Sequence, residues 1–443
     1  MKRLKLFSKN KKKKTEILPV ANSGETSVAA ITDDNKKPKS AAGTPVNSKI
    51  YTYEHGFDRP MLIIILLLSL FGLIMVYSSS YVYALTYHGN SAYFLLRQAR
   101  VLILGILLML VMTRFGYKII KRFTVLAYLA AVLMLIAVLF FGTSEGEAQR
   151  WIFIGPISFQ PSEFMKIAMI LIIAMISSKH KHIIHAKKKF WKSTLLGFIL
   201  PAFIIGVSCL LVLLEKHLSG TIILFLIGFV LLWCNGSPKF WTISLTAIGV
   251  GVIAFVIFAV NQHPEEVKEL VPDYMFVRVD SWLHPENYDE LGDLWQTIQG
   301  QIAVGSGGFF GRGFGKSLQK HLFVSMPQND FIFAIVCEET GFIGAAAVIA
   351  LYIAFVVRGL YIAKNAPDVF CSLTAIGISA HVGLQAFLNM AVVIGVIPNT
   401  GISLPFFSAG GSSLIFLFFE MGILLIISKY TPVEESKLKN NIK

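Results

Sequence analysis

The sequence predicts an all-α polytopic membrane protein with about ten transmembrane helices. Of its 443 residues, 55% are hydrophobic and only 15% are charged, a balance too apolar for an ordinary soluble domain. Apolar runs long enough to cross a bilayer recur along most of the chain. The predicted spans lie near residues 59–80, 96–114, 118–141, 164–178, 194–214, 218–234, 241–261, 331–357, 370–396 and 412–428.

The segment before the first span, residues 1–56, is predicted to be a disordered basic tail. It holds twelve Lys and Arg against five Asp and Glu, so half of the formal net charge of +14 lies there. Its polar composition offers too little apolar surface for a packed core. On a membrane protein such a tail is typical of a cytosolic segment near anionic lipid. We therefore expect no nucleic-acid partner.

Basic residues in the connections between spans predict the orientation of the bundle. They cluster in alternate connections, at 117–122, 179–192, Lys239, Arg358 and from Lys429 onward, on the same side as the basic tail. Positively charged connections mark the cytoplasmic side. Both termini are therefore expected in the cytoplasm, with a transmembrane domain over 57–430 and a short tail over 431–443.

Residues 262–329, between the seventh and eighth spans, are expected to form a long extracellular loop, and loops of this length are usually functional. Its second part reads "GSGGFFGRGFGKSLQK". A Walker A loop is excluded because Phe310 stands where that motif needs glycine. Arg312, Lys316 and Lys320 could meet lipid phosphates, and a flexible loop with interfacial lysines fits the composition equally well.

The other long outward connection, 142–163, leads into the fourth span. Arg150 and Trp151 are expected at the membrane face, where Trp is often an interfacial anchor. Ser162 is expected to cap the following helix, with Glu163 in its first turn. Lys166 then lies just inside an apolar helix, where it either snorkels to the surface or pairs with an intramembrane carboxylate.

Three carboxylates mark the start of the eighth span, at Asp330, Glu338 and Glu339. An Asn329 or Asp330 cap would explain one of them. A cap does not explain the two glutamates, placed about 12 Å deeper along a helix. Ionised groups at such positions are usually functional or paired. Partial burial also raises a carboxylate pKa toward neutrality, which suits Asp330 to general-base work.

The last outward connection, "VIPNTGISLPFFSAGGSS", breaks the backbone between two apolar helices with two prolines and three glycines. Broken backbone at membrane depth is tolerated where it is buried in protein or lines a cavity. Upstream, Gln385 and Asn389 share one helix face through i,i+4 spacing. The sequence therefore predicts that polar groups converge on the outer half of the bundle.

Five motifs in order carry a resemblance to a known family. They are "MVYSSS" (75–80), "RWIFIGPISFQPSEFMKIA" (150–168), "GQIAVGSGGFFGRGFGKSLQK" (300–320), "PQNDFIFAIVCEETGFIG" (327–344) and "NTGISLPFFSAGGSSL" (399–414). Over about residues 57–430 the chain resembles the SEDS family, the polytopic peptidoglycan glycosyltransferases FtsW, RodA and SpoVE. The residues at these motifs resemble FtsW more than RodA.

The resemblance implies an activity and roles for residues. Family members polymerise lipid II, carried on undecaprenyl diphosphate, at the outer face of the bacterial cytoplasmic membrane, with a class B penicillin-binding protein that cross-links the product. Asp330 matches the essential aspartate, Trp151 and Lys166 match cavity residues, and Glu338 and Glu339 match an acidic pair. The predicted catalytic residues are thus Asp330, Lys166, Glu338 and Glu339. The predicted substrate-binding residues are Arg150, Trp151, Gln160, Ser162, Glu163, Arg278, Gln299, Arg312, Lys316, Gln385, Asn389, Ser408 and Ser412.

The implied chemistry is a single displacement that inverts the anomeric carbon. It needs a base on the acceptor hydroxyl and a cation on the leaving diphosphate. Asp330 is assigned as the base, and Lys166, Arg150 and Arg312 are candidates for phosphate contacts. A divalent cation, Mg or Mn, is an open possibility, and no metal ligands are assigned. His217 stands where the family usually has an aspartate.

Two other functions fit parts of the pattern. A lipid II flippase would also use intramembrane carboxylates and broken helices, although it needs polar groups reachable from both sides. A non-catalytic scaffold would recruit the transpeptidase through residues 262–329. The nearness to FtsW favours a role with divisome proteins at the division septum, while elongation and sporulation stay open.

Overall fold

The computed structural model describes residues 18–19, 50–54, 56–145, 148–154, 157–186, 190–289 and 294–434. Helices account for most of these ranges. In chain order they are α1 Arg59–His88, α2 Tyr93–Met112, α3 Tyr117–Phe141, α4 Pro161–Lys179, α5 Lys181–Ile184, α6 Phe190–Thr194, α7 Leu200–Leu214, α8 Leu218–Cys234, α9 Lys239–Gln262, α10 Pro264–Leu270, α11 Asp273–Leu283, α12 Trp295–Ser306, α13 Ile332–Lys364, α14 Val369–Val393 and α15 Ser412–Ser428.

The predicted class, a helical polytopic membrane protein, is confirmed. Within the described ranges, eight helical segments are long and apolar enough to cross a membrane, and α6 and α7 form one of them through a π-helical turn, Leu195–Ile199. Two further apolar helices, α8 and α15, have 17 residues each. These ten segments overlap the ten predicted spans in sequence, while the number that cross a membrane stays a prediction. The predicted long loop contains three helices of its own, α10, α11 and α12.

Short antiparallel strands complete the described structure. They are β1 Leu18–Pro19, β2 Ile50–Glu54, β3 Thr143–Glu145, β4 Ala148–Ile154, β5 Ile157–Phe159 and β6 Tyr430–Glu434. The order β3-β4-β5 forms a small sheet before α4, and β2 pairs with β1 and β6. No strands were expected in 143–159, although aromatic and β-branched residues such as those of "RWIFI" favour them. The predicted disordered tail and the C-terminal tail lie largely outside the described residues.

Burial separates the centre of the bundle from its edge. In α4 and α14, 72% and 67% of the most apolar window is buried, against 6% in α9. Helix α14 packs against α13, α4 and α8, whereas α9 touches mainly α8, α10 and α11. Polar side chains within these helices, such as Lys166 on α4 and Gln385 on α14, are therefore surrounded by protein.

Helix α13 is broken near its N-terminal end. Gly341 has φ 66° and ψ −164°, a backbone that only glycine adopts readily. The break frees helical carbonyls and amides, and the segment 307–316, here called the glycine loop, satisfies both. Loop amides of Arg312 and Gly313 donate to the Glu338 and Glu339 carbonyls at 2.9 and 3.0 Å, and amides of Phe342 and Ile343 donate to carbonyls of the loop.

Candidate active site at one end of the bundle

A cavity of about 1070 Å³ opens at the end of the bundle that carries the long loop. Its wall combines the α7–α8 turn, helix α11, the start of α12, Asp330 before α13, and the connection after α14. The lining residues are Leu213, Leu214, Lys216, Pro272, Asp273, Tyr274, Met275, Val277, Arg278, Ser281, Leu294, Gln296, Thr297, Asp330, Asn399 and Gly401. The structure thus brings together Asp330 and Arg278 from the predicted set.

Side chains of other residues hold the backbone around Asp330, and its carboxylate faces the cavity. The Asn389 side-chain amide donates to the Asp330 carbonyl at 2.7 Å and to the Ile402 carbonyl at 2.7 Å. The Ser408 hydroxyl donates to the Asn329 carbonyl at 2.7 Å. Asn389 and Ser408, both predicted to bind substrate, therefore fix the segment that carries Asp330.

The expectation that Asn329 or Asp330 caps the helix is wrong. Helix α13 begins at Ile332, and its N-cap residue is Phe331, without a side-chain hydrogen bond. Because the chain turns before the helix starts, Asp330 lies one residue too early to cap it. Helix capping therefore does not explain the Asp330 carboxylate.

The electrostatic setting of Asp330 favours a base that is active near neutral pH. Burial raises the pKa of Asp330 above the ordinary aspartate value, while nearby backbone amides and the Arg278 guanidinium oppose that rise. Arg278 is oriented by a hydrogen bond from Nη1 to the Thr400 carbonyl at 3.2 Å. Gly401 leaves room beside the carboxylate, since a Cβ there would lie 3.5 Å from Asp330 Oδ2.

Lys166 lies in a separate buried network inside the bundle. Its ammonium pairs with Glu163 Oε1 at 2.9 Å and donates to Gln385 Oε1 at 3.1 Å, and the side chain is 3% exposed. The pairing alternative is therefore correct and snorkelling is not. The Gln385 amide donates in turn to the Ser403 carbonyl at 3.0 Å. Lys166, Glu163 and Gln385 thus tie α4 and α14 to the connection after α14.

The start of α4 differs from its prediction. The N-cap residue is Gln160 and the helix begins at Pro161, so Ser162 does not cap it. Pro161 occupies the first helical position, which its fixed φ favours. The Ser162 hydroxyl lies 3.3 Å from His217 Nδ1 instead. The Gln160 amide donates to the Ser412 hydroxyl at 3.2 Å, which joins two further predicted residues.

Glu338 and Glu339 lie among protein partners and do not line the cavity. Glu338 accepts hydrogen bonds from the Ser317 hydroxyl and from the Leu318 amide, at 2.5 and 2.9 Å. Glu339 pairs with Lys320 Nζ at 2.7 Å and accepts from the Ser78 hydroxyl at 2.6 Å. Glu339 and Lys320 are both fully buried. The contacts of Glu338 and Glu339 therefore join α1, α13 and residues 317–320, and this set of contacts is here called the clamp.

The remaining predicted residues lie near the cavity or near the contacts of Glu338 and Glu339. Arg150 on β4 donates from Nη2 to the Lys216 carbonyl at 2.6 Å, so it approaches the cavity wall, and Trp151 follows it, partly buried. Gln299 is buried on α12, one turn after cavity residues of that helix. Arg312 reaches Glu338 at 3.7 Å, and Lys316 is exposed on the glycine loop.

Several ionisable residues were missed by the sequence analysis. Glu215 lies in the α7–α8 turn beside cavity residues; burial raises its pKa to about 8, against the effect of Arg150, and neither of its carboxylate oxygens has a hydrogen-bond partner among the described residues. His381 Nδ1 lies 2.8 Å from Glu420 Oε2 inside the bundle. Ionisable residues within or at the end of apolar runs were the available signal.

The described residues offer little to a metal ion. They contain no group of three or more His, Cys, Asp or Glu side chains arranged to hold one. The cavity itself is lined by two carboxylates, Asp273 and Asp330. Since this set does not fit a protein-built site, we derive no step through a divalent cation.

Sequence comparison relates most of the chain to one family. The family profile described as "Cell cycle protein", for FtsW, RodA and SpoVE proteins, matches residues 58–432. A Bacillus subtilis protein named "Probable peptidoglycan glycosyltransferase FtsW" is 36% identical over 388 residues, covering 86% of this chain and 93% of that protein. "Stage V sporulation protein E" of the same organism is 36% identical over 378 residues, covering 84% and 97%. Identity thus does not separate the division branch from the sporulation branch.

Solved structures share the fold. The chain matches one from a study titled "Structural coordination of polymerization and crosslinking by a peptidoglycan synthase complex", with a TM-score of 0.65 and 24% identity over 84% of this chain and 97% of that one. It also matches the rod shape determining protein RodA of Thermus thermophilus, with a TM-score of 0.60 and 24% identity over 84% and 96%.

Proposed function

The chain belongs to the FtsW/RodA/SpoVE family of cell cycle proteins, and on that premise we propose that it is a peptidoglycan glycosyltransferase. The substrate is lipid II, and the product is a glycan strand made at the outer face of the bacterial cytoplasmic membrane. The curated relatives named for this activity support the reaction class. We infer septal wall synthesis during division as the setting from the sequence motifs, which are nearer to FtsW than to RodA.

One observation carries the proposal for the site: Asp330 and Arg278 line one cavity of about 1070 Å³. A cavity of that size has room for saccharide units. Its base has a pKa raised by burial, and its cation stands on the opposing helix α11. Among the described residues Asp330 has no closer cationic partner than Arg278, so its carboxylate is available to take a proton.

The reaction then proceeds in one displacement. Asp330 accepts the proton of the acceptor sugar hydroxyl as that oxygen bonds to the anomeric carbon of the donor. The bond from that carbon to the diphosphate oxygen breaks, and undecaprenyl diphosphate leaves with the electron pair. Arg278, with Arg150 beside the cavity wall, stabilises the charge on the leaving group. The anomeric configuration inverts because attack and departure occur on opposite faces.

Lys166 acts through other residues in this scheme. It holds Glu163 and Gln385, and Gln385 holds the Ser403 carbonyl in the connection that reaches Gly401. Glu338 and Glu339 act similarly through the clamp on α13. We assign all three as positioning residues for Asp330.

A cross-linking partner is part of the proposal. One structural neighbour comes from a synthase complex that coordinates polymerisation with cross-linking. We infer that this chain works with a class B penicillin-binding protein and with divisome proteins, at the septum, with both termini in the cytoplasm. Neither the flippase nor the scaffold has a specific observation in its favour.

The deciding experiment is glycan synthesis by the purified full chain supplied with lipid II. We expect Asp330→Asn to lower polymer formation by about 10²–10⁴-fold, the range of general-base catalysis. Asp273→Asn is the matched control, because Asp273 lines the same cavity and loses the same charge. Its activity should stay within a few-fold of the wild type.

Three outcomes are informative. Normal polymer from Asp330→Asn, with unchanged thermal stability, would remove Asp330 as the base. Equal losses in both variants would point to the charge of the cavity in place of proton transfer. Lipid II that crosses vesicles without polymer from the wild type would support the flippase.

A further inference from the structure

The glycine loop combines apolar and basic side chains on one exposed surface. Phe309, Phe310 and Phe314 are 58%, 79% and 54% exposed, and Arg312 and Lys316 between and after them are exposed too. Exposed aromatic side chains in contact with water are unfavourable, and clusters of them mark binding surfaces. The loop therefore needs a partner that accepts phenyl rings and cations together.

The exposure is imposed by a fixed backbone. The loop exchanges four backbone hydrogen bonds with α13 around Gly341, between 2.9 and 3.3 Å. A Cβ at Gly311 would lie 2.2 Å from the Glu339 carbonyl oxygen, so the close approach needs glycine. Because the backbone is fixed, Phe310 and Phe314 stay exposed, and Phe309 stacks on Phe342 of α13 with ring centroids 5.7 Å apart.

Two polar contacts show where this loop lies along the membrane normal. At one end of the bundle Arg358 on α13 pairs with Asp58, the N-cap of α1, at 2.6 Å. About twenty residues further along α1, Ser78 meets the Glu339 carboxylate at 2.6 Å. Twenty helical residues span about 30 Å, the thickness of the hydrocarbon core. The two contacts thus mark its two boundaries.

The glycine loop is bonded to α13 at the second of these boundaries. Phenyl rings at the edge of the hydrocarbon and cations near the lipid phosphates are the arrangement that an interface favours. We propose that the glycine loop is an interfacial anchor that inserts its phenylalanines into the outer leaflet and binds phospholipid phosphates through Arg312 and Lys316. This assigns both cations to bilayer lipid and does not depend on glycan synthesis.

The first test measures where the loop lies. In vesicles whose acyl chains carry bromine near the headgroup, the full chain with Phe310→Trp should show added fluorescence that bromine quenches and aqueous iodide does not. Leu270→Trp, at a position on α10 that is 82% exposed, is the matched control and should show the reverse. The wild type, with six native Trp, supplies the background.

The second test measures the phosphate contact. We expect Lys316→Gln to retain fewer phosphatidylglycerol molecules than the wild type when purified from mixed phosphatidylglycerol and phosphatidylcholine. Lys268→Gln, another exposed lysine of the same region, should retain as many. Quenching of the Phe310→Trp signal by iodide would overturn the proposal by placing the loop in water. Protection from both quenchers would overturn it in favour of a protein partner, and equal lipid retention would remove the phosphate contact.

Discussion

Asp330 precedes Glu338 by eight residues and Glu339 by nine, and the three carboxylates differ in their partners. The two glutamates receive hydrogen bonds from hydroxyls, backbone amides and a lysine. Asp330 faces a cavity, with Arg278 as its cationic neighbour. A carboxylate whose acceptor sites are filled holds structure, whereas one left open in a cavity can exchange a proton. The sequence alone gives the three residues equal weight.

The largest expected effect that would sharpen this contrast is on stability. Glu339→Gln leaves the Lys320 ammonium buried without its counter-charge, and breaking a buried pair in this way costs about 3–5 kcal/mol. We expect a marked fall in the thermal midpoint in detergent. The double variant Glu339→Gln with Lys320→Met, which removes both charges, should recover much of it. A single variant as stable as the wild type would break the comparison.

A smaller effect is expected from the residue that holds the Asp330 backbone. Asn389→Ala removes two hydrogen bonds to buried carbonyls, worth about 1–2 kcal/mol together. The displaced Asp330 should lower kcat about tenfold, with little change in KM. Thr374→Ala, on the same helix and with a buried hydroxyl that has no partner in the described structure, serves as the control. Equal kinetics for the two variants would contradict the positioning role.

The pH dependence tests the open side of the comparison. Activity requires ionised Asp330, so it should fall as pH drops through the raised pKa of that carboxyl. Arg278 stabilises the ionised form, and its removal should raise the pKa further. We expect Arg278→Gln to move the acid limb of kcat/KM upward by roughly one pH unit, or about 1.4 kcal/mol. An acid limb at the same pH in both proteins would show that Arg278 does not affect the pKa of Asp330.

The smallest effect belongs to the opposite end of the bundle. The Arg358–Asp58 pair is partly exposed, with side-chain exposures of 32% and 10%. Arg358→Gln should therefore cost about 1 kcal/mol or less and leave glycan synthesis unchanged. A loss of activity comparable with that of Asn389→Ala would show that the two ends of α13 are coupled.

Hydropathy was sufficient to predict the ten apolar segments, because each is long, continuous and bounded by polar residues. Helix ends were less predictable: α1 continues to His88 through an aromatic, partly polar stretch that extends beyond the predicted span. The conversion of 143–159 to strands depends on pairing, which hydropathy does not report. The break at Gly341 depends on a loop thirty residues earlier in the chain.

The site was predictable as a set of residues and not as an arrangement. Ionisable groups beside apolar runs pointed to Asp330, Lys166 and the two glutamates. Which of them share a cavity is decided by distant backbone, such as the Thr400 carbonyl that orients Arg278. Glu215 ends an apolar run, which was a usable signal, but it was overlooked because it lies in no recognisable motif.

Helix α8, at 17 residues, is only about 26 Å long. This is a hydrophobic mismatch, and a bilayer adapts to a short helix by thinning locally. The helix begins two residues after Lys216, which lines the cavity. Headgroups next to its exposed face, which carries Phe225 and Trp233, would sink toward the midplane, and a polyprenyl carrier would present its diphosphate in a shallow depression of the membrane surface.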